Sequence, residues 1–397
     1  MTGPAARPAS PVPPPDGALV SAFRSLWPAA TLTEGPSGAW ALVPSARTPR
    51  LVVPVGSRKA AARSLCRFST DTSVPQAVRR VAGAAVVGTT RGALLGTRVE
   101  VTGASEDSFA RHLEELLGHP VVFSVGVGSE RVNRKPVLQV FDTSGHTVAF
   151  VKIGDSEVSR VDVAAEGAHL RRVGAVPLRL LRVPRVLHES VWHGRVVLVL
   201  EPLPTGRPRL SPLPPAPPAE AMAELASAFA EAPGTLPSLP WWARQRRAAT
   251  GFADPGWCRR LHDAMDRVED ASGDHVWSVG AWHGDWTPWN MARARGRVQL
   301  WDWERFETGV PHGLDRLHFA VNVATTRRGT TPATVLQAVT APTTAREDRP
   351  GPRGVLAAAY LVAVTERYLT LASSAQGAAI RDRGLCTLTA LEDLLDR

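Results

Sequence analysis

Apolar residues fall in short, strand-length runs through the first half of the chain and recur at helical spacing in the second half. Runs rich in Val and Phe predict an antiparallel meander over residues 121–127, 137–141 and 147–153, and residues 194–200 predict a further strand. Helices are predicted over residues 106–118, 161–173, 219–231, 257–268 and 354–371. This order predicts an α+β protein in which a β-rich lobe is followed by a helical lobe.

Proline-rich segments mark the predicted domain boundaries. Residues 1–16 are predicted as a disordered tail, and residues 202–218, which contain eight prolines, as a linker, because strand and helix interiors do not tolerate such a run. The predicted domains are an N-terminal extension at 17–105, an N-lobe at 106–201 and a C-lobe at 202–397.

The extension is predicted to be a small α/β region of unknown role. Its apolar runs at 39–43 and 51–55 predict a strand pair, and residues 57–67 and 75–87 predict helices. Nothing in this region carries chemistry that indicates a function.

The composition favours a globular protein outside the membrane, with 44% hydrophobic and 21% charged residues. The longest apolar stretches fall short of the roughly 20 residues that a membrane-spanning helix needs. The first fifteen residues lack the charged and then apolar segments of a secretory signal. We therefore expect a cytoplasmic protein without membrane association.

Cysteines and net charge exclude some classes of site. Cys66, Cys258 and Cys386 are far apart and form no metal-ligand spacing, which argues against a disulfide framework and against a zinc site. The net charge of +9 comes largely from dispersed arginines without a block of five like charges, so nucleic-acid binding is not favoured. The sequence contains no indication of oligomeric state.

The clearest chemical signal is an H-x-D-x4-N motif formed by His283, Asp285 and Asn290, with Asp302 following after one short predicted strand. This is the spacing of a kinase catalytic loop, in which the Asp orients or deprotonates the acceptor hydroxyl and the Asn binds a metal. Asp285 is placed for the catalytic role, and Asn290 and Asp302 for binding Mg²⁺. We place His283 with Asp285 among the catalytic residues and expect it to act by shaping the loop through a hydrogen bond to the backbone near Asp302.

A lysine in the third predicted strand of the meander is the candidate for binding nucleotide phosphates. Lys152 lies in an otherwise apolar strand, where a charged side chain needs a partner. Glu166, fourteen residues later in a predicted helix, is the preferred partner, and Glu157 in the predicted connecting loop is the alternative.

Two backbone segments are candidates for further nucleotide contacts. Gly126 and Gly128 form only a G-x-G between the first two predicted strands, so other residues nearby are alternatives for touching phosphate: Ser129, Asn133, Arg134 and Lys135. The strand that precedes the proline-rich segment ends at Glu201, and the backbones of Glu201 and Leu203 are candidates for a hinge that binds adenine.

Together these motifs resemble the aminoglycoside phosphotransferase and choline kinase family, whose loop is HGD-x4-N and whose metal motif is often D-W-E, as in Asp302-Trp303-Glu304 here. The resemblance implies a bilobal protein-kinase-like fold, ATP as donor, Mg²⁺ as cofactor and transfer of the γ-phosphate to a hydroxyl of a small molecule of the aminoglycoside, sugar or amino-alcohol type. It implies Asp285 as catalytic residue, Asn290 and Asp302 as metal ligands and Lys152 as phosphate contact. The incomplete glycine loop and the first hundred or so residues depart from the family pattern.

Several alternatives stand beside this hypothesis. Within the phosphotransferase hypothesis, Trp286 and Trp289 either contact the acceptor or pack in the core, and Glu304 and Asp315 either recognise a cationic acceptor or carry surface charge. The alternative functions are a catalytically silent kinase-like module that binds nucleotide or a partner, a kinase acting on protein or glycan, and a basic nucleic-acid binder. The complete set of Lys152, Asp285, Asn290 and Asp302 favours an active phosphotransferase.

Overall fold

The chain forms two compact units. The computed structural model describes residues 26–27, 31–35, 38–45, 50–66, 83–85, 97–102, 108–126, 135–205, 216–341, 354–374 and 377–397. Unit 1 comprises Met1–Arg171, Pro184–Leu203 and Pro208–Pro212, and unit 2 comprises Arg172–Val183, Pro204–Arg207 and Leu213–Arg397.

Unit 1 is built on an antiparallel sheet of nine strands, counted over the residues that the structure describes. The strands of the first half of the chain are β1 (Thr31–Glu34), β2 (Trp40–Val43), β3 (Leu51–Pro54), β4 (Arg98–Thr102), β5 (Val121–Gly126), β6 (Val137–Asp142), β7 (Thr147–Gly154), β8 (Leu181–Arg182), β9 (Val186–Trp192) and β10 (Arg195–Leu200), of which β8 belongs to unit 2. Their order across the sheet is β1-β4-β2-β3-β5-β6-β7-β10-β9. The predicted meander β5-β6-β7 is confirmed, as is the pairing of β2 with β3.

The sheet continues across residue 105, where the predicted extension meets the predicted N-lobe. Strand β3 pairs with β5 through Leu51 opposite Gly126 and Val52 opposite Val125. Trp27 and Trp40 of the extension pack on Phe123 of β5, with ring centroids 5.9 and 5.3 Å from that ring. The two predicted regions therefore share one sheet and one core.

Among the described residues, the longer helices that accompany this sheet are α1 (Arg58–Leu65), α2 (Phe109–Leu117) and α3 (Glu157–Gly174). Ser57 and Ser108 cap the first two, each accepting a hydrogen bond from a backbone N–H of the first turn. Helix α2 ends at Gly118, whose φ of 75° favours glycine. The helices predicted at 57–67 and 106–118 are confirmed within the described residues, and of the helix predicted at 75–87 only 83–85 are described, as helix.

Unit 2 is mostly helical, as predicted for the C-lobe. Its helices are α4 (Ala219–Ala228), α5 (Pro240–Ala248), α6 (Pro255–Ser272), α7 (Leu314–Arg328), α8 (Pro332–Thr340), α9 (Val355–Ala372) and α10 (Ala378–Leu395). Its remaining strands are β11 (Glu231–Thr235), β12 (Val276–Trp282), β13 (Met291–Ala294), β14 (Arg297–Leu300) and β15 (Glu307–Pro311). They form two three-stranded sheets, β11-β12-β15 and β13-β14-β8, against a core that includes Trp241, Trp277 and Tyr360.

The structure differs from the predicted elements at several places, one of which is Glu157, predicted in a connecting loop and found as the first residue of α3. The helix predicted over 219–231 ends at Ala228, and Glu231 begins β11, where Pro233 and Gly234 disfavour helix. Strand β9 was not predicted, because this edge strand is half exposed and its polar His188, Glu189 and Ser190 weaken the apolar pattern. Of the predicted linker, residues 206–215 lie outside the described part of the chain.

Helix α9 is the most apolar helix of unit 2. Its 18 residues have a mean hydropathy of 1.4, so by length and composition alone it could cross a membrane. However, 61% of it is buried inside the structure, as expected for a core helix. Its inward face, with Tyr360 and Leu361, belongs to the core of unit 2.

Candidate active site

A buried ion pair joins the predicted phosphate-binding lysine to helix α3. The Nζ of Lys152 on β7 lies 2.6 Å from both Oε1 and Oε2 of Glu166. Lys152 is 5% exposed and Glu166 is fully buried, whereas Glu157 opens α3 at the surface. The pairing with Glu166 is therefore confirmed over the alternative with Glu157, and the ammonium is fixed at one place on the sheet.

The predicted catalytic loop lies in unit 2 between β12 and β13, and His283 shapes it from inside. Its Nε2 donates to the carbonyl oxygen of Trp301 at 3.1 Å, and its Nδ1 accepts from the N–H of Asp285 at 3.2 Å. Burial lowers the pKa of His283 to about 4, although the charges of Asp285 and Asp302 oppose the shift. The ring is thus neutral, and both of its nitrogens form hydrogen bonds to the backbone. This confirms the predicted backbone contact near Asp302, and His283 therefore shapes the loop.

Gly284 gives the loop its sharp turn. Its φ is 76°, and a Cβ at this position would overlap the carbonyl oxygen of Arg305. Arg367 of α9 donates from Nη1 to the carbonyl oxygen of Gly284 at 2.6 Å. Glycine is therefore required here both by conformation and by space.

Asp315 holds the loop from the first turn of α7. Its Oδ2 accepts from the N–H of His283 at 2.7 Å and its Oδ1 from the N–H of Gly284 at 3.1 Å. Burial raises the pKa of Asp315 to about 7, although these two backbone bonds act in the opposite direction. Asp315 is 4% exposed, so both interpretations made from the sequence, acceptor recognition and surface charge, are wrong for this residue.

Asp285, the predicted catalytic residue, has one partner on each carboxylate oxygen. Nε2 of His318 lies 3.1 Å from Oδ1, and Nδ2 of Asn290 donates to Oδ2 at 2.8 Å. Its side chain is 39% exposed. Burial by itself raises the pKa of Asp285, but the hydrogen bond from His318 and the electrostatic contacts with His318 and His283 together outweigh burial and hold that pKa below its usual range. The group is therefore an ionised carboxylate that solvent reaches and that can accept a proton.

The two predicted metal ligands lie at the open end of the β13–β14 hairpin. Met291 pairs with Leu300, and the N–H of Trp301 donates to the carbonyl oxygen of Asn290 at 3.0 Å, so Asn290 and Asp302 flank the same end of the ladder. The amide nitrogen of Asn290 is used by Asp285, which leaves its oxygen as the atom that suits a cation.

These two oxygen donors fit Mg²⁺, which takes one or two protein oxygens together with phosphate and water. Within the described residues no group of three or more His, Cys, Asp or Glu side chains could hold a metal by itself. A cation at Asn290 and Asp302 would therefore complete its shell with ligands from outside the protein.

The tryptophans in and after the loop differ in burial. Trp286 and Trp303 are fully buried, so the acceptor contact considered for Trp286 is wrong. Trp289 is half-buried and stays a candidate for such a contact.

The remaining nucleotide-binding candidates lie in unit 1. Gly126 ends β5, whereas Gly128 and Ser129 lie outside the described residues. The N–H of Glu201 donates to the carbonyl oxygen of Arg185 at 2.9 Å, which removes that donor from any adenine contact. The carbonyl of Glu201 and the backbone of Leu203 therefore remain as the candidates for contacting adenine.

The sequence did not indicate three residues that complete the loop: His318, Tyr360 and Arg367. They come from α7 and α9, which begin well beyond the H-x-D-x4-N motif, and isolated polar residues in apolar helices give no distinctive spacing. An i, i+3 relation of Asp315 and His318 on one helix face is the only local signal that links two residues of this group.

Comparisons with known proteins give similarities of structure only. No family model and no curated protein matches the chain. The aminoglycoside phosphotransferase APH(4)-Ia is 16% identical, with 72% of this chain and 97% of that chain covered at a TM-score of 0.47. The gentamicin complex of APH(2")-IIa is 12% identical, with 72% and 94% covered at 0.42. A choline/ethanolamine kinase family protein from Mesorhizobium loti is 15% identical, with 66% and 85% covered at 0.40.

These solved structures are of the family that the motifs resemble. At such identities and TM-scores they carry no weight for activity or substrate. Activity and substrate class are therefore inferred from the residues of this chain.

Proposed function

We propose that this protein is an ATP-dependent phosphotransferase that transfers the γ-phosphoryl group to a hydroxyl of a small molecule in the cytoplasm. The observation that carries the proposal is the ionised, solvent-reached Asp285 held next to Asn290, with Asp302 at the same hairpin end. A buried Lys152–Glu166 pair supports it, because such a fixed ammonium suits nucleotide phosphates.

In the proposed reaction Asp285 orients the acceptor hydroxyl and receives its proton. The hydroxyl oxygen forms a bond to the γ-phosphorus, the bond from that phosphorus to the oxygen bridging the β-phosphate breaks, and ADP leaves with the electron pair. Lys152 would bind the phosphates, and Asn290 and Asp302 would hold Mg²⁺. When bound, this ion would neutralise charge on the phosphate oxygens.

A recess of about 330 Å³ on unit 2 is the candidate acceptor site. Trp282, which directly precedes the loop, and Arg367, which holds the Gly284 carbonyl, both line it. Three carboxylates line it, from Glu304, Glu307 and Glu366, together with Arg305 and Arg367. Arg244 pairs with Glu307 at 2.9 Å, so acidic and basic groups are balanced around the recess. This polar lining suits an acceptor with several hydrogen-bonding groups beside its hydroxyl, as amino sugars and amino alcohols have.

The test is ATP consumption with Mg²⁺ over a panel of aminoglycosides, sugars, amino alcohols and nucleosides. The protein is compared with Asp285→Asn and with Asp274→Asn, an exposed aspartate of unit 2 that serves as the matched control. We expect turnover on an amine-bearing acceptor that falls by about 10²–10⁴-fold in Asp285→Asn and is unchanged in the control. Full activity of Asp285→Asn, or failure of the protein to bind ATP, would contradict the proposal.

A further inference from the structure

A buried histidine faces the candidate catalytic aspartate from helix α7. His318 is 2% exposed, and its two ring nitrogens contact two different residues. Nε2 lies 3.1 Å from Oδ1 of Asp285, and Nδ1 lies 3.3 Å from the hydroxyl oxygen of Tyr360 on α9. The ring therefore connects the catalytic loop to the apolar core of unit 2.

The chemistry of the two neighbours fixes which nitrogen carries the proton. An ionised carboxylate has only acceptors, so Nε2 of His318 must be the donor toward Asp285. In the neutral ring Nδ1 is then an acceptor, and the Tyr360 hydroxyl donates to it. Hydrogen bonds thus run in one direction, from Tyr360 through His318 to Asp285.

The charges around the ring agree with a neutral histidine. Burial lowers the pKa of His318, and the guanidinium groups of Arg367 on α9 and Arg383 on α10 act in the same direction, against the hydrogen bond and charge of Asp285. Burial also raises the pKa of Tyr360 well above its ordinary value, so its hydroxyl keeps the proton that it donates. The edge of Trp282 on β12, 6.5 Å away between ring centroids, brings no charge.

The contact with His318 completes the clamp on the Asp285 carboxylate. Asn290 holds Oδ2 and His318 holds Oδ1, so the carboxylate cannot rotate about its Cβ–Cγ bond without losing a hydrogen bond. Each oxygen keeps a second lone pair for another donor. The clamp therefore fixes the plane of the carboxylate while leaving it able to accept the hydrogen bond of an acceptor hydroxyl.

We propose that His318 is a positioning residue that orients the Asp285 carboxylate for the acceptor hydroxyl, and that Tyr360 holds the His318 ring in place through its hydrogen bond to Nδ1. This rests on the phosphotransferase function proposed above and adds to it a pair of residues that act through Asp285. Neither residue belongs to the H-x-D-x4-N or D-W-E motifs.

The test compares His318→Met, His318→Gln and Tyr360→Phe with the unmodified protein on the acceptor found in the panel. Met fills the space without a donor, whereas the amide nitrogen of Gln takes the place of Nε2. We expect His318→Met to lower kcat by about 10–100-fold with the KM for ATP nearly unchanged, since misplacing a catalytic group affects the reacting step. His318→Gln should recover most of the loss, and Tyr360→Phe should lower kcat less than His318→Met.

Thr325→Val on the same helix is the matched control, because Thr325 is buried and bonds only to carbonyl oxygens of its own helix. Its kcat should be unchanged. The proposal would be overturned if His318→Met kept the kcat of the unmodified protein. It would also be overturned if His318→Met and His318→Gln lost equal amounts of kcat at equal folded fractions. Absence of turnover in the unmodified protein on every acceptor would instead contradict the phosphotransferase function itself.

A measurement that needs no acceptor tests the same geometry. Nitrogen-15 NMR of the histidine side chains in the full chain should show His318 with its proton on Nε2 at pH 7, both in the unmodified protein and in Tyr360→Phe, with the Nδ1 resonance shifted in the variant because its hydrogen bond is lost. A proton on Nδ1, or a doubly protonated ring, would overturn the proposal. If His318→Met does not fold, the proposal is tested by this spectrum and by the kcat of Tyr360→Phe.

Discussion

At the scale of single residues, the buried Lys152–Glu166 ion pair indicates a functional role more than a packing role. A lysine that is 5% exposed on an apolar strand loses the hydration of its ammonium, and the two short contacts to Glu166 compensate for this loss. Replacing such a pair by apolar side chains is often neutral or stabilising, so stability alone does not account for its presence. The proposed role of this ammonium in binding phosphate would account for the pair.

This argument predicts that stability and nucleotide binding separate at the pair. Lys152→Met leaves the Glu166 carboxylate buried without its counter-charge, and we expect the free energy of unfolding to fall by about 3–5 kcal/mol. Lys152→Met/Glu166→Leu removes both charges and should recover most of that loss. Neither variant should bind ATP at the affinity of the unmodified protein, as measured by denaturant unfolding and by calorimetric titration. A double variant that binds ATP normally would rule out the phosphate role of Lys152.

At the scale of elements, a short loop and a hairpin set the geometry of the candidate site. The turn of the β13–β14 hairpin is Arg295-Gly296, both with positive φ, as two-residue turns of this kind require. The register that this turn fixes brings Asn290 and Asp302 to one end of the ladder. Helix α7 then supplies Asp315 and His318 from one face to hold the loop.

Two glycines with nearly equal φ allow a matched test of this arrangement. Gly284 and Gly296 have φ values of 76° and 73°, but a Cβ on Gly296 has nothing within 4 Å, whereas on Gly284 it overlaps Arg305. We expect Gly296→Ala to cost about 1–2 kcal/mol of unfolding free energy, the cost of the left-handed conformation alone.

Gly284→Ala should cost more than this and lower turnover at least about tenfold, because the loop must move away from Asp315 and Arg367. Thermal unfolding and steady-state kinetics of the two variants check it. Equal stability and equal turnover in both variants would show that the loop accommodates a side chain at position 284.

At the scale of the whole molecule, the region before residue 106 is part of the structure that carries Lys152. Strands β1 to β4 extend the sheet from β5 outward, and Trp27, Leu42 and Val52 share one buried cluster with Phe123, Val151 and Ile153. The meander β5-β6-β7 is therefore flanked by β3 on one side and by β10 on the other. The region before residue 106 thus supports the sheet, although it contains no motif that indicates chemistry.

Truncation tests this task. A chain of residues 106–397 lacks the strands that cover β5 and should be insoluble or unfold at a much lower temperature, because it exposes an apolar strand edge and core side chains. A chain of residues 17–397, which lacks only the predicted tail, is the control and should keep the melting temperature of the full chain. Soluble yield and thermal unfolding measure both. An unchanged melting temperature of 106–397 would show that the first four strands are dispensable.

The sequence by itself determined the features that are encoded within short windows. Alternation and helical spacing predicted the meander β5-β6-β7, the strand pair β2-β3 and the capped helices α1 and α2, because periodicity and cap residues act over a few positions. The spacing of His283, Asp285, Asn290 and Asp302 predicted the loop and a short strand before Asp302 for the same reason, whereas the β13–β14 hairpin was not predicted.

Only the tertiary structure decided the pairs that join distant parts of the chain. It selected Glu166 over Glu157 for Lys152, joined β3 to β5 and brought Asp315, His318 and Arg367 to the predicted catalytic loop. It also buried Trp286, which the sequence left open as an acceptor contact. These outcomes depend on packing between elements that lie tens of residues apart, and burial of a side chain is a property of its neighbours in space, for which a single sequence contains no local pattern.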